Sequence, residues 1–161
     1  MKIIGIDCGL KGYISVLDEG KYIGSFAMPT YYRAKRTHIE VPKLRDIILA
    51  IAPDAAVIER QFAMPKQGLS STFTTAMNYG LIVGMLSGLG IQYQVADASK
   101  WQRYIFGGKV ENTKQSSIAA IVLWDNSIDL RKSDRARVAS ADKADSINIA
   151  RYGAEVLYAK E

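Results

Sequence analysis

The chain has 161 residues, 48% of them hydrophobic, and a net charge of +5. The length suits one domain, residues 1–161. The positive charge suits either a polyanionic partner or a role in solubility alone. Its single cysteine, Cys8, and single histidine, His38, exclude an intramolecular disulfide and a Cys/His zinc site within one chain, so oxygen atoms must hold any metal. No apolar run is long enough to span a bilayer or to act as a signal peptide, so we expect a cytoplasmic protein with no membrane segment.

The first part of the chain predicts a three-stranded antiparallel meander. Lys2 to Cys8 is an apolar, β-branched run, and the runs Tyr13 to Leu17 and Tyr22 to Met28 follow it. A charged turn at Asp18–Gly20 joins the last two strands. Residues 31–37, YYRAKRT, are predicted to form a basic, aromatic loop.

The rest of the chain alternates helices and strands. Helices are predicted at 41–52, 71–89, 97–106, 113–125 and 141–158, and strands at 55–58 and 91–96. Ser140 is placed to cap the last helix, after a polar, basic connection at 126–140. This order predicts an α/β fold with a five-stranded mixed sheet and helices on both faces.

Two acidic residues stand at the ends of predicted strands. Asp7 lies in an apolar strand, where a charge is costly unless it is paired or bound to a cation, although Asp-x-Gly is also ordinary turn chemistry. Glu59 ends the strand AAVIE, and ligands gather beyond the carboxyl ends of strands in α/β sheets. The alternative is that Glu59 is simply the first solvated residue after the strand, paired with Arg60.

Two more acids share one face of the last predicted helix. Asp142 and Asp145 are three residues apart, and the same spacing continues to Ile149, Tyr152 and Val156, so the acids extend an apolar stripe. Carboxylates so close raise each other's pKa unless a cation bridges them. Attraction to the helix dipole is the alternative, and it explains the first acid better than the second. Four converging acids without a histidine predict a two-metal site for phosphodiester hydrolysis.

Three segments carry a resemblance to a known family. IGIDCGLKGYISVLD, VIERQF and ADKADSINIARYG resemble the signature segments of RuvC-type Holliday junction resolvases, from Met1 to about Tyr158. The resemblance implies an RNase H-like fold and a homodimer that resolves four-way junctions, in the cytoplasm of a bacterial or phage-infected cell. It implies two Mg²⁺ ions, or Mn²⁺ in their place, held by Asp7, Glu59, Asp142 and Asp145, and cuts that leave 5′-phosphate and 3′-hydroxyl ends.

The resemblance also implies residues that touch DNA. Phe62 would wedge into the stacked bases at the junction centre, Lys114 would face the scissile phosphate as part of the catalytic site, and Arg103 stands where the family has another basic residue. The full set of candidate DNA contacts is Phe62, Lys66, Arg103, Lys109, Lys114, Arg131, Lys132, Arg135 and Arg137. Each basic residue has solvated surface as its alternative, and Phe62 has the core.

Several features depart from the family pattern. Cys8 replaces the usual proline, the connection 126–140 is longer, and Met64–Pro65–Lys66 follows the second signature segment. The chain is similar in this to divergent bacteriophage resolvases, which leaves forks, flaps and RNA–DNA hybrids open as substrates.

Two other functions and the position of the dimer interface remain open. A non-catalytic junction-binding protein is one alternative. An actin-like ATPase, which shares the Asp-x-Gly loop, is another, although such proteins need a longer chain. The predicted helix 71–89 repeats small residues at a four-residue spacing, which suits either a dimer interface or internal helix–sheet contacts; they are Ala76, Gly80, Gly84 and Gly88.

Overall fold

The computed structural model describes residues 1–63 and 65–159, so Met64, in the loop after Glu59, and residues 160–161 lie outside the described residues. The strands are β1 (Lys2–Ile6), β2 (Tyr13–Asp18), β3 (Lys21–Ala27), β4 (Thr30–Arg33), β5 (Arg36–Ile39), β6 (Ala55–Glu59) and β7 (Gln92–Ala96). The helices are α1 (Val41–Ile51), α2 (Leu69–Gly88), α3 (Ala98–Phe106), α4 (Thr113–Trp124) and α5 (Ala141–Tyr152), which continues into a π-helical turn, Gly153–Leu157. None of the described helices combines the length and the apolar character that crossing a membrane requires.

Five strands form the predicted mixed sheet, in the order β3-β2-β1-β6-β7. β1 is antiparallel to β2 and parallel to β6, and β6 is parallel to β7. The central strands are buried on both faces, which explains why they read as continuous apolar runs. Ile4 and Ile6 face α1 and α2, whereas Ile3 and Val57 face the side that holds α3 and α5. The predicted fold class is therefore confirmed.

Residues 31–37 do not form the predicted loop. β4 and β5 pair with each other in a separate two-stranded sheet, and only Ala34 and Lys35 make the turn between them. Both turn residues have positive φ, 51° and 61°, as two-residue hairpin turns of this type require. Asn-Gly is the usual sequence at such a turn, so the Ala-Lys pair hides the hairpin from a reading of the sequence.

Helix α5 packs directly against β1, and this contact positions two of the candidate acids. A Cβ atom at Gly5 would overlap the backbone of Ser146 and Ala150, so only glycine permits the approach. The start of the helix therefore reaches the same edge of the sheet as the end of β1. As predicted, Ser140 caps the helix, with its Oγ accepting a hydrogen bond from the Lys143 amide at 3.3 Å.

The apolar stripe predicted along the last helix is correct through Tyr152 and wrong at Val156. Ile149 and Tyr152 are buried, but Val156 is 41% exposed. The chain there forms a π-helical turn, in which the Tyr158 amide donates to the Gly153 carbonyl at 2.9 Å. This wider turn inserts one residue into the helical repeat, so Leu157 packs against the core in place of Val156.

Candidate metal centre and nucleic-acid groove

The four candidate acids come together at one edge of the sheet. Asp7 directly follows β1, Glu59 ends the neighbouring parallel strand β6, and Asp142 and Asp145 lie near the start of α5, which packs on β1. The charges of the other three acids all raise the pKa of Asp145, which places the four carboxylates within one electrostatic environment.

Asp7 serves the turn after β1 as well as the acidic group. Its Oδ1 accepts a hydrogen bond from the Gly9 amide at 3.0 Å, so the turn-capping alternative is present in the structure. Burial raises the pKa of Asp7 to about 6, and the charges of Glu59 and Asp142 add to this rise, while the Gly9 hydrogen bond opposes it. One hydrogen bond does not offset the cost of burying the charged carboxylate, so a bound cation would stabilise Asp7 further.

Glu59 is held by a tryptophan that the sequence did not single out. Trp101 Nε1 donates to Glu59 Oε1 at 2.9 Å, and Gln61 donates to Oε2 at 3.4 Å. Burial raises the pKa of Glu59, and these two hydrogen bonds oppose the rise. Arg60 pairs with Asp97 at 2.6 Å, so the alternative pairing of Arg60 with Glu59 is wrong. The sequence marks Trp101 only as an apolar helix residue and gives no sign of this contact.

Asp145 has a larger rise in pKa than Asp7, the acid that follows β1. Burial raises its pKa to about 7, the other acids add to the rise, and a hydrogen bond from Ser117 opposes it. Ser117 is buried in α4, and its Oγ accepts a hydrogen bond from Asn148 Nδ2 at 2.8 Å. Ser117 and Asn148 thus form a buried polar pair beside Asp145, and sequence reasoning missed both residues.

Asp142 is partly exposed and carries a direct ion pair. Lys132 Nζ lies 3.4 Å from its Oδ2, and the carboxylate side chain is 34% exposed. Among the described residues, Lys132 is the only side-chain cation paired with any of the four acids.

The donor chemistry of this edge fits a hard divalent cation. Carboxylate oxygens without histidine or thiolate ligands suit Mg²⁺ and Mn²⁺, and a cation would offset the burial and mutual repulsion of the acids. Cys8 is buried beside them, and burial raises the pKa of its thiol, which keeps it neutral. Across residues 1–63 and 65–159, no three Asp, Glu, His or Cys side chains already stand in an arrangement that could hold an ion.

A groove of about 1030 Å³ opens at Asp7 and Glu59. The first turns of α2 line one side, with Ser70, Ser71 and the exposed ring of Phe73, and the Arg36–His38 segment of β5 lines the other. No pattern in the sequence indicated that residues from α2 and the hairpin would border the acidic edge, because the hairpin itself was not predicted.

The predicted DNA contacts are all exposed. Phe62 is 62% exposed and so does not belong to the core. Lys114 lies one helical turn before Ser117 on α4, on the helix face that reaches Asp145. The remaining basic candidates lie on the surface; they are Lys66, Arg103, Lys109, Arg131, Lys132, Arg135 and Arg137.

Four of these basic residues either line a concavity or form an ion pair. Arg103 and Lys109 line a second concavity of about 460 Å³ beside α3. Arg131 donates to both carboxylate oxygens of Asp129, and Lys132 pairs with Asp142. The structure therefore spreads the candidates over more than one surface and leaves their contacts with DNA a prediction.

The small residues of α2 lie on its outer surface. Ala76, Gly80, Gly84 and Gly88 are exposed, and the buried residues of this helix are Asn78, Ile82 and Leu86. The alternative that the small residues form internal helix–sheet contacts is therefore wrong.

The fold is similar to those of known resolvases. No family model matches the chain, and no curated protein matches its sequence. Thermus thermophilus RuvC in complex with a Holliday junction substrate matches with a TM-score of 0.66 and 14% identity, over 94% of this chain and 91% of that one. The fowlpox virus resolvase with its substrate Holliday junction DNA matches with a TM-score of 0.61 and 19% identity, over 99% and 100%. The yeast mitochondrial Holliday junction resolvase matches with a TM-score of 0.54 and 15% identity, over 92% and 77%. Over nearly its whole length, this chain therefore has the fold of the RuvC-type Holliday junction resolvases.

Proposed function

We propose that this protein is a divalent-metal-dependent endonuclease that resolves four-way DNA junctions. The observation that carries the proposal is the convergence of Asp7, Glu59, Asp142 and Asp145 at one sheet edge, beside an open groove. The fold supports the same function, because the similar structures of RuvC and the fowlpox resolvase hold Holliday junction DNA.

In this proposal the four carboxylates hold two Mg²⁺ ions, with Mn²⁺ as a substitute. When bound, such ions supply the Lewis acidity that activates a water nucleophile and stabilises the leaving 3′ oxygen, so the cut leaves 5′-phosphate and 3′-hydroxyl ends. The protein's own part is orientation. Trp101 and Gln61 direct the two oxygens of Glu59, Ser117 lies beside Asp145, and Lys114 is proposed to face the scissile phosphate.

The substitution Asp7→Asn tests the metal site, because it removes a charge and keeps the shape of the side chain. We expect junction cutting in Mg²⁺ to fall by more than the roughly 10–100-fold that the loss of an outer-shell partner costs. Junction binding in EDTA should persist. Asp46→Asn, at an exposed acid on α1, is the matched control and should cut at the wild-type rate. Normal cutting by Asp7→Asn would end the metal-site proposal.

The choice among branched substrates needs a direct comparison. Four-way junctions, forks, flaps and RNA–DNA hybrids of matched sequence should be cut side by side, with and without Mg²⁺. The proposal expects the fastest cutting on the four-way junction. Tight junction binding without cutting under every metal condition would instead indicate a non-catalytic junction-binding protein.

We further propose that the protein acts as a homodimer, since a two-fold dimer places one site on each of two strands of a nearly two-fold junction. The exposed small-residue face of α2 allows a second helix to approach closely. Gly84→Glu should shift sedimentation from dimer to monomer and uncouple the paired cuts. Paired cuts from a wild-type protein that sediments only as a monomer would contradict the dimer.

A further inference from the structure

The β4–β5 hairpin concentrates positive charge without internal compensation. Residues 30–39, TYYRAKRTHI, contain three basic residues and no acid. Arg33 and Arg36 are directly paired across the two strands, so their side chains leave the same face. Like charges in this position destabilise a hairpin. Within the described ranges, neither arginine nor Lys35 forms an ion pair.

The hairpin is anchored at its base and free at its tip. Ile39 and Met28 are buried in the main core, and the Glu40 amide donates to the Pro29 carbonyl at 2.8 Å. Tyr31 stacks on His38 across the strands, with ring centroids 5.4 Å apart. These contacts hold the two arginines on a defined arm, although the arm does not join the five-stranded sheet.

The β4–β5 hairpin borders the groove that opens at Asp7 and Glu59. Three residues of β5, Arg36 to His38, line it together with Lys11, Asp7 and Glu59. A ligand in this groove would meet the basic arm and the acidic edge together, which is the charge pattern expected for a phosphodiester chain whose reacting phosphate goes to bound metal.

We propose that the β4–β5 hairpin is a clamp for one duplex arm of the DNA substrate, with Arg33 and Arg36 contacting its phosphates. This inference rests on the proposed nuclease function and adds a binding surface outside the predicted contacts. Charge complementarity favours DNA as the occupant, since a polyanion offsets the repulsion between two arginines paired across the hairpin.

The test is the salt dependence of junction binding in EDTA, where no cutting occurs. Two true phosphate contacts lower the slope of log Kd against log salt by about two. We expect this reduction for the double variant Arg33→Gln with Arg36→Gln. Lys21→Gln with Lys43→Gln, which removes two exposed charges away from the groove, should keep the wild-type slope.

Two further measurements separate the possible failures. Wild-type protein that binds junctions but never cuts them overturns the nuclease function alone, because the slope is measured without metal. A wild-type slope in the arginine double variant, from a protein that cuts normally, overturns the clamp. Equal competition by polyglutamate would overturn duplex DNA as the occupant. If the double glutamine variant unfolds, Arg33→Lys with Arg36→Lys provides a second test, because it keeps both charges. The proposal requires this variant to show the wild-type salt slope of junction binding.

Discussion

Trp101 donates its indole N–H to Glu59 Oε1 at 2.9 Å from a position that is 1% exposed. The tryptophan belongs to the core between α3 and the sheet, so the packing of the domain fixes its N–H. Glu59 is therefore oriented from the interior, and it also lines the groove.

Trp101→Phe should weaken metal binding while the fold survives. The variant keeps an aromatic ring in the core and removes the hydrogen bond to the partly buried carboxylate of Glu59. A hydrogen bond to a charged group contributes about 1.5–3 kcal/mol. We expect the Mg²⁺ concentration for half-maximal cutting to rise about tenfold. Trp124→Phe, at a tryptophan that packs under Arg151, is the control and should leave this concentration unchanged. Equal effects from both variants would show that Trp101 acts only through packing.

Without metal, the stability of the protein should rise as pH falls, and added Mg²⁺ should reverse this dependence. The pKa values of Asp7 and Asp145 rise from 3.8 to about 6 and about 7 on folding. Their contribution to stability is therefore fully present below about pH 4 and is lost as pH rises through 6 and 7. Metal-free protein should unfold at higher denaturant as pH falls from about 8 to about 5. Added Mg²⁺ should stabilise it at about pH 8 and have little effect at about pH 5, because binding needs the ionised acids.

Replacing Asp145 by asparagine should stabilise the metal-free protein while it abolishes cutting. Near pH 8 the substitution removes a buried charge that three other acids repel, and we expect the free energy of unfolding to rise by about 1–3 kcal/mol. Urea unfolding in EDTA gives the measurement. The exposed control Asp46→Asn should change stability by less than about 0.5 kcal/mol. A destabilised Asp145→Asn would show that the hydrogen bond from Ser117 outweighs the repulsion.

Gly5→Ala tests the contact that brings α5 onto β1. The added methyl group overlaps the backbone of Ser146 and Ala150, and overpacking of this kind costs about 1–3 kcal/mol. Because the same contact positions Asp142 and Asp145, cutting should fall even at temperatures where the variant is fully folded. Gly24→Ala in β3, where the methyl group meets open space, should be nearly neutral in both measurements.

The sequence predicted those parts of the molecule in which local pattern and burial agree. β1 and β6 are buried on both faces, so their apolar runs and the acids at their ends could be recognised. Asp145 stood out for the same reason, since an acid in an apolar helical stripe has a physical cost. Asp145 and Asp7 follow from these observations, whereas Glu59 and Asp142 were selected mainly by the resemblance to the RuvC-type resolvases.

Contacts that depend on tertiary approach could not be predicted in this way. Trp101 and Ser117 reach the acids through packing between elements distant in the sequence. The hairpin turn at Ala34–Lys35 relies on positive φ in residues that rarely adopt it, and the π-helical turn shifts the final stripe by one residue without a sequence signal. The groove went unpredicted because the hairpin forms one of its walls.

Lys132→Gln separates two roles of the connection before α5. Lys132 Nζ lies 3.4 Å from one oxygen of Asp142, Oδ2. Such an exposed ion pair is worth up to about 1 kcal/mol, and a metal that binds this carboxylate competes with the lysine. We expect the variant to reach half-maximal cutting at a Mg²⁺ concentration about two- to fivefold lower. If Lys132 also moves to a phosphate, the salt slope of junction binding in EDTA falls by about one. Arg135→Gln, an exposed neighbour without an ion pair among the described residues, should leave the Mg²⁺ dependence as it is. A higher Mg²⁺ requirement in Lys132→Gln would mean that the lysine supports the metal centre and does not compete with it.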